Sequence, residues 1–181
     1  ASLDRQVSHR LNKKLRTREA TAEEVLAARK EAGSGHSVIG MNIMVALVND
    51  YEKSTLGALD GGVDVIISGA GLPMKLPEIV STHPRSDEVA LIPIVSSVRA
   101  MNLIMKRWKR SGRVPDAFIV EGPLAGGHLG WKTKEDVLNP KHQLELICQE
   151  IIAELQNKNL DIPVIPAGGI YTHEDIVKYL A

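Results

Sequence analysis

Cysteine is nearly absent from this sequence. Cys148 stands alone among 181 residues, so no disulfide can close within the chain. Its neighbours Leu144, Leu146, Ile147, Ile151 and Ile152 predict a buried, inert thiol on a helix rather than a reactive one. Such sparing use of cysteine fits a cytoplasmic protein. Net charge is also lacking. Lys and Arg number 22, as do Asp and Glu, which leaves no global field to draw the chain to nucleic acid or a membrane surface. No apolar run approaches the roughly 20 residues that span a bilayer. The start, Ala1-Ser2-Leu3-Asp4-Arg5, lacks the apolar stretch of a secretion signal.

Several motifs are missing as well. His9, His36, His83, His142 and His173 are scattered without metal-ligand spacing, which argues against a zinc or iron site. There is no Walker A loop, nucleophile elbow or CxxC pair. Gly69-Ala70-Gly71 lacks the third glycine of a dinucleotide fingerprint and has Pro73 where a helix should run. Residues 5–18 carry six basic groups but no aromatic side chain to stack on bases, so they read as a solvated surface segment. What remains is an ordinary globular composition, 44% hydrophobic and 24% charged, in a chain long enough for one domain with a core.

That core is written as short β-rich runs, each followed by helical composition. The runs are Val38-Ile39-Gly40-Met41-Asn42-Ile43, Val63-Asp64-Val65-Ile66-Ile67-Ser68, Val89-Ala90-Leu91-Ile92-Pro93-Ile94-Val95, Asp116-Ala117-Phe118-Ile119-Val120 and Ile162-Pro163-Val164-Ile165-Pro166. They are almost continuously apolar, the pattern of parallel strands covered on both faces. Measured between Ile39, Asp64, Leu91, Ala117 and Pro163, the steps are 25, 27, 26 and 46 residues. These are βα units with an insertion before the last strand. Thr21-Ala22-Glu23-Glu24 reads as a capping box opening a helix, and Thr133 and Thr172 begin similar patterns with Asp in the reciprocal place. Leu144, Ile147, Ile151 and Leu155 share a face of a helix reaching about Asn157. Gly61-Gly62 ends a helix that begins near Tyr51. No linker interrupts the pattern, so residues 1–181 form one domain. An open doubly wound sheet would be complete at five strands, whereas a (β/α)₈ barrel needs eight. Length alone favours the open sheet.

In both folds ligands bind at the carboxyl ends of the strands, and the non-core residues collect there. The first run ends in Asn42, the second in Ser68-Gly69-Ala70-Gly71 and the third in Ser96-Ser97. The fourth leads into Glu121-Gly122-Pro123-Leu124-Ala125-Gly126-Gly127-His128 and the fifth into Ala167-Gly168-Gly169-Ile170. The last of these offers backbone N–H groups and a helix start to an anion, or is simply a tight βα turn. In the Glu121 segment, two glycines can pass close to a flat ligand. His128 can exchange protons near neutral pH, or can be merely solvated.

Gly40-Met41-Asn42-Ile43-Met44, Ile67-Ser68-Gly69-Ala70-Gly71-Leu72-Pro73, Glu121-Gly122-Pro123-Leu124-Ala125-Gly126-Gly127-His128-Leu129-Gly130 and Ile165-Pro166-Ala167-Gly168-Gly169-Ile170 resemble the successive strand-end motifs of the nitronate monooxygenase (2-nitropropane dioxygenase) family. They share that family's order and spacing, from about Val38 to Leu180. The family also holds FMN-dependent enoyl-acyl-carrier-protein reductases with the same motifs. The resemblance implies an FMN-binding (β/α)₈ TIM barrel in which the five runs are strands three to seven. The chain is then an incomplete barrel, truncated at both ends, with two unpaired edges and an exposed inner face.

The resemblance further implies that Asn42, Ser68 and Glu121 contact the flavin ring or ribityl chain. Gly126 and Gly127 pack against the isoalloxazine, Ala167, Gly168 and Gly169 hold the phosphate, and His128 is the catalytic base. With 3% aromatic residues, the flavin is held mainly by backbone and polar groups. The activity implied is oxidation of alkyl nitronates by O₂. The alternatives are NAD(P)H-dependent reduction of enoyl thioesters and a non-catalytic phosphate- or flavin-binding barrel. Partners are then small molecules rather than nucleic acid or membrane, and homo-oligomer formation stays open.

Overall fold

The computed structural model describes residues 2–33, 35, 37–128, 130–131 and 133–180. His36 and Leu129, both named above, lie outside the described residues, as does Ala1. The chain divides into two compact units, Ala1–Gly69 with Pro73–Ile92, and Ala70–Leu72 with Pro93–Ala181.

The first unit holds α1 (Leu3–Leu11), α2 (Thr17–Ala32), β1 (Gly40–Met44), α3 (Tyr51–Asp60), β2 (Val65–Gly69) and α4 (Leu76–Val80). β1 and β2 pair in parallel from Gly40↔Val65 to Met44↔Gly69. Residues 5–18 keep all six basic side chains exposed, as expected of a surface segment, and part of the stretch is helical. Leu3, Val7 and Leu11 recur every four residues, and α1 uses that stripe to lay Val7 against Leu15 and Ala20 while its basic side chains stay exposed. The start of α2 differs from the sequence reading. Thr21 lies a full turn inside the helix, fully buried, with its hydroxyl donating to the Thr17 carbonyl at 2.8 Å. The cap is made by Glu19, whose carboxylate accepts the Arg16 N–H at 3.0 Å. An acid at the third helical position reaches the entering backbone whichever residue stands at the cap, so the real start lies five residues earlier, with the cap at Arg16 rather than Thr21.

α2 and α3 cross closely because glycines stand at the crossing. A Cβ on Gly57 would lie 2.2 Å from the Arg18 carbonyl oxygen, and one on Gly61 2.7 Å from that of Ala22. Asp60 ties the same pair of helices together through both guanidinium nitrogens of Arg18, at 2.5 and 2.9 Å. Gly61-Gly62 closes α3 as expected, with Gly62 at φ +82°. Asp64 accepts from Arg29 and from the Ile39 N–H, each at 2.8 Å, fastening α2 to the entry of both strands.

β3 (Ala90–Val95) starts in the first unit, where the Ala90 N–H donates to the Asp64 carbonyl at 2.9 Å, and its second half belongs to the second unit. There follow α5 (Val98–Trp108), β4 (Phe118–Glu121), α6 (Lys134–Leu138), α7 (Leu144–Asn157), β5 (Val164–Ala167) and α8 (His173–Leu180). β4 pairs in parallel with β3 and with β5. α7 packs on β4 and β5 through Leu144, Ile147, Cys148, Ile151 and Leu155, the face expected from sequence. Trp108 and Phe118 are fully buried; each large apolar side chain removed from water stabilises the fold by roughly 1.5–3 kcal/mol, more than the ~1 kcal/mol of a helix cap. Packing, rather than capping, therefore fixes where these helices lie.

All five expected strands are present and parallel, in the order β1-β2-β3-β4-β5. A doubly wound sheet reverses its order at a switch point; this one does not, and it is consistent with consecutive strands of a barrel. Cover on both faces is not found. Leu91, Pro93 and Val95 are buried while Ala90, Ile92 and Ile94 are half-buried, and Ile165 is 42% exposed. Helices cover one face, and the other stays open along the row Ile94, Ile119 and Ile165. Among the described residues, no helix is long and apolar enough to cross a membrane.

Candidate functional site

β4 alternates. Phe118 and Val120 are fully buried, and Ile119 and Glu121 emerge half-buried on the open face. Val95 pairs with Val120, so Ser96 and Glu121 head the same end of adjacent strands. Burial pushes the Glu121 carboxyl up from its usual range, because a charge loses hydration there. No group among the described residues donates to it.

Beyond Glu121 the chain turns sharply. The Gly122 N–H donates to the Ala167 carbonyl at 3.0 Å, and Ala125 N–H to Gly122 at 3.1 Å. Only glycine fits at 122, since a Cβ would come within 2.8 Å of the Leu144 Cβ. Gly126 and Gly127 then run into open space, with no atom within 4 Å of an added Cβ, and His128 follows them exposed.

β5 delivers its own glycines to the same place. Gly168 and Gly169 adopt φ of +99° and +76°. A Cβ on Gly168 would stand 2.6 Å from the Ala125 nitrogen, and one on Gly169 2.9 Å from the Leu124 Cδ1. The two glycine-rich segments therefore touch. At α8, Asp175 accepts from the N–H groups of Tyr171 and Thr172 at 3.0 and 2.9 Å, while its own N–H donates to the Thr172 hydroxyl at 3.1 Å. This is the reciprocal cap expected from sequence. It also means that the amides leading into α8, those of Tyr171 and Thr172, are already taken by a carboxylate. The N–H groups of Gly168, Gly169 and Ile170 carry no hydrogen bond among the described residues, and they are what the turn has left to offer an anion.

Two clefts open here. One, of about 440 Å³, is lined by Glu121, Ala125, Gly126, Ala167, Gly168 and Gly169 with Tyr171 at its rim. The other, of about 330 Å³, is lined by Glu121, His128, Ser96, Ser97 and Gly71 against the apolar walls Leu72, Ile94 and Trp131. Glu121 belongs to both. The second unit thus gathers Glu121, Gly126, Gly127, His128, Ala167, Gly168 and Gly169. Asn42 and Ser68 lie in the first unit. Asn42 is exposed on β1. Ser68 is fully buried, donating to the Ile43 carbonyl at 3.0 Å and bonded to the Tyr51 hydroxyl at 2.8 Å, so its side chain is engaged within the unit's own core. Trp131 was missed in the sequence. Its signal was rarity, as one of two tryptophans, standing three residues after the Gly-Gly-His loop.

The arrangement can exchange a proton at His128, hold an anion at the Gly168 turn and admit a flat group past Gly126 and Gly127. Among the described residues no cluster of His, Cys, Asp and Glu could hold a metal ion. No curated protein matches the chain. Solved structures do. FabK from Thermotoga maritima is 22% identical with a TM-score of 0.60, over 88% of this chain and 43% of that one. A single-residue mutant of the same FabK gives 22% and 0.61, over 88% and 46%. The likeness is one of fold, and this chain spans less than half the length of those structures. A family model described as nitronate monooxygenase matches residues 8–181, and the chain belongs to that family of flavin oxidoreductases.

Proposed function

We propose that this chain forms strands three to seven of an FMN-binding (β/α)₈ barrel domain whose enzyme oxidises alkyl nitronates with O₂. The observation that carries the reading is the contact of Leu124 and Ala125, which lead into the Gly-Gly-His loop, with the Gly168 turn, together with Glu121 being common to both clefts. Free amides at residues 168–170 suit a phosphate, and the open backbone at Gly126 and Gly127 suits a flat ring, so the residues present fit FMN. When bound, FMN supplies the redox chemistry, accepting electrons from the nitronate and passing them to O₂. The protein orients and exchanges protons. His128 takes the α-proton of a neutral nitroalkane, or hydrogen-bonds the nitronate already formed. Glu121 and the glycines hold the ring, and Gly168 and Gly169 the phosphate.

The test is the absorption spectrum of the full-length protein, followed by oxygen consumption with a simple nitronate. Flavin bands and rapid uptake are expected. His128→Asn should lower turnover of neutral nitroalkane by roughly 10²–10⁴-fold, the usual worth of a general base, and affect preformed nitronate far less. Equal turnover of both forms by the variant removes His128 from that role. A flavin bleached faster by NADPH than by nitronate assigns the enoyl-thioester reductase activity instead, and a protein colourless even with added FMN assigns a non-catalytic barrel.

A further inference from the structure

The 330 Å³ cleft beside His128 is lined by polar groups, among them Ser96 and Ser97, and by an apolar wall of Leu72, Ile94 and Trp131. The wall has an unusual support. Trp131 opens a segment that carries α6 and a 3₁₀ turn, Pro140–His142, and folds back so that its last residue stacks on its first. The rings of Trp131 and His142 lie 4.1 Å apart at 21°. His142 is in turn fixed through Nδ1 to the Asp136 carbonyl at 2.6 Å. The segment between them is braced by its own side chains. Thr133 accepts from the Asp136 N–H at 3.1 Å, and Asn139 from Lys141 at 3.0 Å. The indole N–H itself is buried and has no partner among the described residues. Among the described residues the ring is held by its stacking on His142.

From this we infer that Trp131 is a specificity-determining residue, setting how long an apolar group the cleft accepts, and that His142 is its positioning residue. The inference rests on the proposed function for the identity of the polar head. His128 and Ser96 meet the charged or polar end of the substrate. Leu72 and Ile94 flank a short apolar chain, and the Trp131 ring stops it. The substrate class is a small straight-chain anion with few carbons beyond its head group.

The experiment uses the full-length holoenzyme with straight-chain primary nitronates of two to eight carbons. Wild type should lose kcat/KM beyond a short length, chiefly through KM. Trp131→Ala should raise kcat/KM for the longest substrates at least tenfold relative to the shortest. Trp131→Phe, which keeps a stacked ring and loses the indole N–H, should keep the cut-off. His142→Ala should blur it, and it carries the test if Trp131→Ala fails to fold. A second readout needs no turnover: dissociation constants for straight-chain carboxylates of the same lengths, which share the flat anionic head, read from the perturbed flavin spectrum. If wild type ignores nitronates while Trp131→Ala still extends the carboxylate range, the length role stands and the nitronate reading falls. If the variants and wild type share one length profile in both readouts, or wild type shows no length dependence, Trp131 does not set specificity.

Discussion

Glu121 is an acid held in a place that disfavours its charge. Burial raises its folded value, and nothing among the described residues offsets the loss of hydration. A raised carboxyl favours folding while protonated, and that contribution is lost as pH rises through the folded value. At pH 7 the ionised side chain therefore destabilises the apo fold. Glu121→Gln should raise the apo Tm at pH 7, and the difference should shrink towards zero below the ordinary value of 4.5. A variant no more stable than wild type at pH 7 would show that the carboxylate is solvated in the free protein. At this scale the sequence was readable where a residue type implies its own chemistry. His128 was singled out as a proton-exchanging group and Glu121 as a flavin contact at a strand end, and both line one cleft. Gly168 was legible only as a glycine. Its φ of +99° and the backbone of Ala125 against it depend on a segment more than forty residues away, and no local pattern encodes that distance.

Among the elements, the strands were legible because an apolar run flanked by polar turns has few other uses. Their ends moved by one or two residues, as at Phe118–Glu121 against a run expected from Asp116, because ladder hydrogen bonds and not composition decide where pairing begins. α1 was hidden by its charge. Six basic residues obscured the four-residue recurrence of Leu3, Val7 and Leu11. The crossing of α2 and α3 was equally invisible, since Gly57 looks like a mere weakness in a helix. In an exposed helix, Gly→Ala would stabilise by about 1 kcal/mol. Here the added Cβ meets a carbonyl oxygen at 2.2 Å, and backbone cannot turn aside as a side chain can. Overpacking typically costs about 1–3 kcal/mol and occasionally more, and with backbone opposite at 2.2 Å the clash outweighs the propensity. Gly57→Ala should lower the urea midpoint clearly, and an unchanged or higher midpoint would mean that α2 can shift to make room.

For the molecule as a whole, the open strand face and the bare edges matter most. β1 and β5 end the strand order, so each has a side of unpaired N–H and C=O groups. Large apolar side chains stand in water, among them Val48 at 84%, Tyr171 at 83% and Leu180 at 81% exposed. The bare strand edges and the open row of Ile94, Ile119 and Ile165 mark a surface that other protein would cover. The 181-residue chain should accordingly enhance the fluorescence of an apolar dye such as ANS and associate as concentration rises, as sedimentation would show. Its β1 and β5 amides should exchange faster than those of β4. A monodisperse chain that leaves the dye dark would mean the exposed face is tolerated by itself.

The contact at Gly168 also constrains how the sequence can vary. A methyl group there is blocked by the main chain of Ala125 at 2.6 Å, so no replacement at position 125 can make room for it. At Gly169 the obstacles are the Leu124 Cδ1 at 2.9 Å and Cβ at 3.0 Å, and shortening that leucine removes the first and leaves a tight Cβ contact beside the cost of a left-handed alanine. A library that randomises both loops together should return glycine at 168 in every folded clone. Position 169 should admit alanine only alongside a smaller partner at 124, a one-sided epistasis written by which atom stands opposite each α-carbon.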